Sequence, residues 1–519
     1  MLWAETMNAS NRIIINTVAQ YIRTIFNILL SLWSSRLILA ALGESDYGIY
    51  SLVAGIVSML SFMVNALTNS TQRYVSFYQG KNNINYLIHV FNNSLIIHLV
   101  IGVFLIAVFE TISFFLFDGF LNIPAERLYA AKTVYHLVVS MLFISVLSAP
   151  FKALLISHEN IVYISIIEVV DGTLKLVLAF VLAYINYDKL IIYGILMLII
   201  QCFNLLSFAI FDFIKYKECR ITGFRSFDLK YIKEMVSFTG WIIYHSMCVV
   251  GRTQGVAVVL NKFYGTVLNA AYGIGMQVSG AVNFVSSSLG NAINPQLVKL
   301  EGANNREHVW NLARLQCKYS FLLLSAVTIP ILFEMNNILS VWLKVVPEKA
   351  GFFASMILIA ALINQLTDGL GSAKHAIGNI KTFVLITSTP KLLVIPTVIL
   401  CLYYGAPFYS LALCYIGAEA LSAFIRLPLL KHTDCLDIQK YIKEVIYKCF
   451  LPVLLTVFAC SIVVIFVNLH LRFLFTFITS VIVLFTSTYF FSMNSTEKNK
   501  VKSIFLFIIG FFQKHICRH

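Results

Sequence analysis

An all-helical membrane protein of about fourteen spans is what this sequence predicts, and three observations carry the prediction. The chain has 519 residues, of which 59% are hydrophobic and only 12% charged, a balance foreign to soluble domains of this size. Uncharged apolar runs of roughly 20 residues recur from end to end, the length that crosses ~30 Å of hydrocarbon. Lysine and arginine gather in alternate connections, as the positive-inside rule requires.

The predicted spans are Ile13–Ala41, Gly48–Ser70, Asn92–Leu116, Ala131–Ser157, Ile161–Tyr184, Leu190–Phe213, Val236–Leu260, Val267–Gly290, Tyr319–Trp342, Gly351–Gly371, Thr382–Tyr404, Phe408–Leu427, Cys449–Val467 and Phe473–Phe491. The first contains Arg23 and is too long and too polar for the apolar stretch of a signal peptide, so it reads as a retained span. With the N-terminus in the cytoplasm, cytoplasmic segments and flanks hold 26 Lys and Arg and the opposite side holds seven. That bias puts both termini inside and favours an even number of spans. The outer loops are short, the longest running from Phe117 to Ala130. The longest inner connections, Ile214–Met235 and Asn291–Lys318, are likewise too short for a soluble domain. Function is therefore expected within the bilayer.

Four spans carry polar stripes at helical spacing. In the first, Asn16, Gln20, Arg23, Asn27 and Ser34 fall within about 60° of one another on a helix turning ~100° per residue. The second carries Ser51, Ser58, Ser61, Asn65, Asn69 and Gln72, the seventh His245 and Arg252, and the eighth Asn269, Tyr272, Asn283, Ser287, Asn291 and Asn294. Unpaired polar groups in hydrocarbon cost several kcal/mol each, so these faces must meet one another or water. A polar, cationic cavity suited to an anionic substrate is the simplest arrangement. The stripes occupy the same two positions in each half, as a duplicated fold would give.

Charges inside spans mark candidate sites. Arg23 is read as a phosphate ligand, since guanidinium offers two parallel hydrogen bonds, and Arg252, two turns after His245 on the same face, as a ligand contact; a structural ion pair is the alternative for each, with Asp368 or another buried acid for Arg252. Glu168, Asp171 and Lys175 share one helix face, either as a self-neutralised cluster or as a proton- or cation-coupling site. Arg36 points away from the Arg23 stripe and is expected to snorkel. Asp368, Lys391 and Glu419 stand isolated in the sequence. The ten cysteines form no Cys-x-x-Cys, and most, such as Cys202, Cys248 and Cys460, read as small buried hydrophobes. No phosphate-loop, zinc-protease or nucleophile-elbow motif is present, so no catalytic residue, cofactor or metal is expected. The formal charge of +14 is scattered between spans and suits a membrane surface rather than nucleic acid.

The stretch from Ser35-Arg36-Leu37 through Leu42-Gly43-Glu44-Ser45-Asp46-Tyr47-Gly48-Ile49-Tyr50 resembles the start of Wzx-type polysaccharide flippases, members of the multidrug/oligosaccharidyl-lipid/polysaccharide (MOP) exporter superfamily. Phe263-Tyr264-Gly265 through Tyr272-Gly273-Ile274, Asn294-Pro295-Gln296 and Val341-Trp342-Leu343 through Pro347 are similar to later parts of the same pattern. The resemblance spans about residues 8–430. It implies two six-helix lobes in a V around a central cavity lined by helices one, two, seven and eight, with two further helices after them. It also implies transport of undecaprenyl-pyrophosphate-linked oligosaccharide (O-antigen, capsule or exopolysaccharide units) from the inner to the outer leaflet of a bacterial inner membrane. Arg23 and Arg252 are the residues onto which the pyrophosphate role carries over. The lining expected around them is Asn16, Gln20, Asn27, Asn65, Asn69, His245 and Asn283. Implied partners are the lipid-linked oligosaccharide, membrane lipids and other polysaccharide assembly proteins. On this reading residues 1–215 form the first lobe, 216–235 a basic linker, 236–430 the second lobe, 431–493 the extra helices and 494–519 an amphipathic cytoplasmic tail. The rivals are a cation-coupled multidrug antiporter of the same superfamily, for which a cavity of acids and aromatics is expected, and a membrane polymerase or ligase.

Overall fold

A computed structural model describes residues 9–58, 61–120, 123–221, 228–343, 346–467, 471–495 and 497–499. Among them every regular element is helical. In order these are α1 (Ala9–Ser58), α2 (Ser61–Gly80), α3 (Ile84–Phe115), α4 (Leu128–Ser157), α5 (Ile161–Ala183), α6 (Lys189–Lys215), α7 (Leu229–Gly302), α8 (Arg306–Phe333), α9 (Met335–Trp342), α10 (Ala350–Ile377), α11 (Lys381–Tyr403), α12 (Ser410–Asp434), α13 (Ile438–Tyr441), α14 (Tyr447–Phe466) and α15 (Arg472–Ser487). Helix is forced where backbone groups must be satisfied without water.

Two glycines set the long elements. α1 bends at Gly43 (φ 79°, ψ 169°) and α7 at Gly265 (φ 77°, ψ −168°), so each is two helices joined at one residue. That backbone region is open to glycine almost alone. The predicted gaps between the first and second spans and between the seventh and eighth thus shrink to single residues, at matching places in the two halves.

Other boundaries move as well. The predicted second span is divided between the end of α1 and the start of α2, with 59–60 outside the described residues. Helix continues through most of the predicted loop Asn291–Lys318, leaving a turn at 303–305. The expected ninth span begins early, at Arg306, and is interrupted at Glu334. These extensions are polar, so hydropathy cannot find them, while the backbone hydrogen-bond ladder still favours continuing the helix. Pro150 does not break α4, where it is buried. Ten helical stretches among the described residues are long and apolar enough to cross a membrane. They make the chain a multi-pass integral membrane protein. α2, α5 and α7 are not among the ten, and they are helices that carry the polar stripes and charges. The expected count of fourteen depends on such helices. The tail after Asn499, including its apolar run Ile504–Phe512, lies outside the described residues.

The chain divides into two compact units. Unit 1 comprises Met1–Ser246, Pro295–Asn305 and Ala376–Gly378. Here α1 packs on α5, α4 on α6, and α2 and α3 on α4. Ile38, Leu178, Leu182, Tyr193 and Ile200 form one apolar cluster between α1, α5 and α6. At one end Arg127 clamps Asp46 (2.8 Å) and Asp188 (2.7 Å), tying the Gly43 bend to the starts of α4 and α6. Burial pushes the Asp188 carboxyl up, but the bond from Arg127 and the α6 backbone N–H groups outweigh it and hold the group below its ordinary value. Unit 2 comprises Met247–Asn294, Arg306–His375 and Asn379–His519. α11 packs on α12, and α14 and α15 pack on each other and on α8. Tyr272, Phe353, Tyr415 and Leu358 lie in its core.

Candidate functional site

In each unit a glutamate within a membrane-span helix lies between two cations, half-buried at Glu168 in unit 1 and buried at Glu419 in unit 2. In unit 1 the carboxylate is Glu168 on α5. Arg23 Nη1 of α1 approaches Glu168 Oε2 at 2.7 Å, and Lys152 Nζ of α4 donates to Oε1 at 2.7 Å. One turn further along α5, Lys175 pairs with Asp171 at 2.7 Å, and Asn204 of α6 donates to the same Asp171 at 2.7 Å. The small residue Gly172 lets α1 come close, with Asn27 and Leu30 against it.

Beside this cluster lies a cavity of about 380 Å³ lined by Asn27, Ser31, Ser34, Tyr50, Asp171 and Lys175, among others. Asn27 Oδ1 and Ser34 Oγ are buried there with no hydrogen-bond partner in the protein. A buried polar atom without a partner costs about 1–3 kcal/mol, so the cavity is built for a polar occupant or water.

In unit 2 the carboxylate is Glu419 on α12. Lys391 Nζ of α11 donates to Oε1 at 2.7 Å, and Arg252 Nη1 of α7 pairs with Oε2. All three side chains are below one-tenth exposed. The Arg252 guanidinium also sits over the Tyr415 ring, 4.2 Å from its centre. Nearby on α12, Arg426 donates to Asn364 (2.9 Å) and Thr367 (3.2 Å) of α10. In both units two cations share one carboxylate, leaving a positive charge without a counter-ion within the cluster.

The residues predicted from sequence are distributed unevenly over this geometry. Arg23, Glu168, Asp171, Lys175 and Asn27 come together in unit 1. Asn16 and Gln20 are buried, and Asn16 donates to the Glu159 carbonyl at 2.9 Å, a bond between α1 and the α4–α5 turn. Asn65 and Asn69 are exposed on α2, and His245 is half-buried. Asn283 donates to Ser279 Oγ within α7 at 2.9 Å. Arg252 meets Glu419 and not Asp368, while Arg36 is exposed. Of the cysteines singled out, Cys248 and Cys460 are buried and Cys202 is half-buried. Among the described residues no group of three His, Cys, Asp or Glu side chains is placed to hold a metal ion.

Lys152, Lys391 and Glu419 were not among the predicted site residues. Lys391 and Glu419 are visible in the sequence as charges in spans, but Arg252 and Glu419 stand 167 positions apart. Only the fold joins them.

No family model and no curated protein matches the sequence. Solved structures do match. A MATE in complex with MaL6 superposes with a TM-score of 0.67 at 13% identity, over 82% of this chain and 98% of its own. The chain has the MATE transporter fold. A multidrug resistance MATE family transporter of the MOP superfamily, solved in an outward-facing conformation, matches with a TM-score of 0.65 at 13% identity over 82% of this chain and 96% of its own. A MOP superfamily transporter from Pyrococcus furiosus, for which reverse polarity of the binding pocket suggests a different function, matches with a TM-score of 0.66 at 12% identity over 84% and 97%. At such identity the likeness is one of MATE fold, and substrate must be argued from the residues.

Proposed function

We propose that this chain is a secondary transporter of the MATE kind whose substrate is anionic: a lipid-linked oligosaccharide carried on a pyrophosphate, moved from the cytoplasmic to the outer leaflet by alternating access. The observation that carries the anionic reading is the charge count. Arg23 and Lys152 share Glu168, and Arg252 and Lys391 share Glu419, so each cluster keeps one positive charge. A pyrophosphate bears about two negative charges and cannot cross hydrocarbon without such counter-charges. The arginines suit its oxygens, and Asn27 and the serines of the unit 1 cavity suit sugar hydroxyls. Asp171 with Lys175 and Asn204 is the proposed coupling group beside it. The setting is a bacterial inner membrane with both termini in the cytoplasm, and other polysaccharide assembly proteins are the expected partners.

A cation-coupled multidrug antiporter is the second reading. The solved relatives support it more directly, since one of them is named as a multidrug resistance transporter. For the Pyrococcus furiosus relative, reverse polarity of the binding pocket suggests a different function, and site charge is the property by which the two readings are separated here.

Reconstituted protein decides between them. The anionic reading expects flipping of a fluorescent pyrophosphate-linked oligosaccharide and no uptake of cationic dyes. It expects Arg23→Ala to abolish flipping with the protein still folded, and Arg23→Lys to recover part of it, because charge returns without the fork. Dye efflux driven by an ion gradient, with no flipping, would establish the antiporter instead.

A further inference from the structure

A second charged cavity, of about 210 Å³, lies in unit 2 away from Glu419. Its walls come from three segments: Asn311, Arg314 and Lys318 of α8, Glu444 just before α14 with Lys448 in its first turn, and Asn494 with Glu497 after α15. Two of its cations are buried, Arg314 being 4% and Lys318 2% exposed. Arg314 Nε donates to Glu444 at 2.7 Å, and Arg314 also bonds Asn311. Lys318 Nζ donates to both carboxylate oxygens of Glu497, at 2.8 and 2.9 Å, and to the Ser492 carbonyl at 3.3 Å. Lys448 rests on the side-chain oxygen of Asn494, a neutral group. Three cations thus line the cavity against two carboxylates, and Lys448 is the cation with a neutral partner among these contacts.

The depth of the cavity is set by the apolar limits of the helices. Lys318 directly precedes the apolar part of α8 (319–333), Lys448 precedes Cys449–Val467, and Asn494 follows Phe473–Phe491. The cavity therefore opens at the hydrocarbon boundary, at headgroup level, on the side that the positive-inside bias makes cytoplasmic. Basic pockets between helices at that level take anionic headgroups.

We propose that this cavity binds the phosphate of an anionic lipid headgroup, with Lys448 and Arg314 as its ligands, and that Glu497 is an internal anion competing for Lys318. The carboxylate of Glu497 holds the position on Lys318 that two phosphate oxygens would take. Because Glu497 belongs to the segment after the last span, lipid capture and docking of that segment become alternatives.

The test uses full-length protein in phosphatidylethanolamine nanodiscs with and without phosphatidylglycerol, with retained lipid read by native mass spectrometry. Lys448→Ser should weaken phosphatidylglycerol retention about fivefold, the factor expected for one interfacial cation. Lys431→Ser, an exposed lysine on α12 outside the cavity, should leave it unchanged. Glu497→Gln should strengthen retention by freeing Lys318. If that variant does not fold, Asn494→Ala should strengthen it by freeing Lys448. Inorganic phosphate added in detergent should protect the protein far less than phosphatidylglycerol. Equal losses in the two lysine variants, or weaker retention in Glu497→Gln or Asn494→Ala, overturn the site. Phosphate binding as tight as the lipid's overturns the lipid assignment.

Discussion

Replacing Glu419 by Gln would leave Arg252 and Lys391 buried together with no counter-charge. Breaking a buried pair from one side costs about 3–5 kcal/mol, and here two cations lose their partner at once. Arg252→Met, by contrast, leaves the 2.7 Å pair of Lys391 and Glu419 intact. Glu419→Gln should therefore lower the thermal unfolding midpoint in detergent far more than Arg252→Met, and equal losses would mean that Lys391 does not hold the carboxylate. Glu218, beyond the end of α6, gives a pH signature. Burial pushes its carboxyl up, but the 2.6 Å bond from His158 outweighs this and holds it below the ordinary carboxylate range. A carboxyl lowered on folding stabilises fully above its unfolded value of ~4.3, and that contribution fades as pH falls through the lower folded value. Wild type should accordingly lose more stability than Glu218→Gln when unfolding is measured from pH 6 down to pH 3, and equal losses would mean that His158 does not hold the carboxyl down.

At the scale of the elements, the bends of α1 and α7 are glycine problems. A Cβ at Gly43 or Gly265 would meet nothing within 4 Å, so crowding is not the constraint. The backbone itself is, and a residue other than glycine held there costs about 1–3 kcal/mol. Gly43→Ala and Gly265→Ala should each destabilise by that amount in unfolding measurements, whereas Gly48→Ala, in helix, should cost nothing comparable. The sequence places span ends around both glycines, between Ala41 and Gly48 and between Leu260 and Val267, but as gaps; the single-residue bends emerge only in the structure, because hydropathy does not record φ and ψ. The interruption at Glu334 was not readable. Its carboxylate is fully buried against Arg472 (2.6 Å) and Thr476 (3.1 Å), residues well over a hundred positions away that a hydropathy window never sees together.

At the scale of the whole molecule, the count of 26 inner against seven outer cations predicts the orientation. In intact cells, a membrane-impermeant thiol reagent should label Glu126→Cys, at the start of α4, and spare Lys230→Cys, at the start of α7, in a background without native cysteines. The reverse pattern would invert the topology. The class was legible in consecutive residues, because a bilayer imposes a length and a polarity on each crossing element. So were the helices that carry polar stripes, since helical spacing is a local property. What those stripes meet follows from packing alone. Arg23 with Glu168 and Lys152, and Arg252 with Glu419 and Lys391, are contacts between helices far apart in the chain, and the choice among buried acids is made by the packing that brings one of them within hydrogen-bond reach.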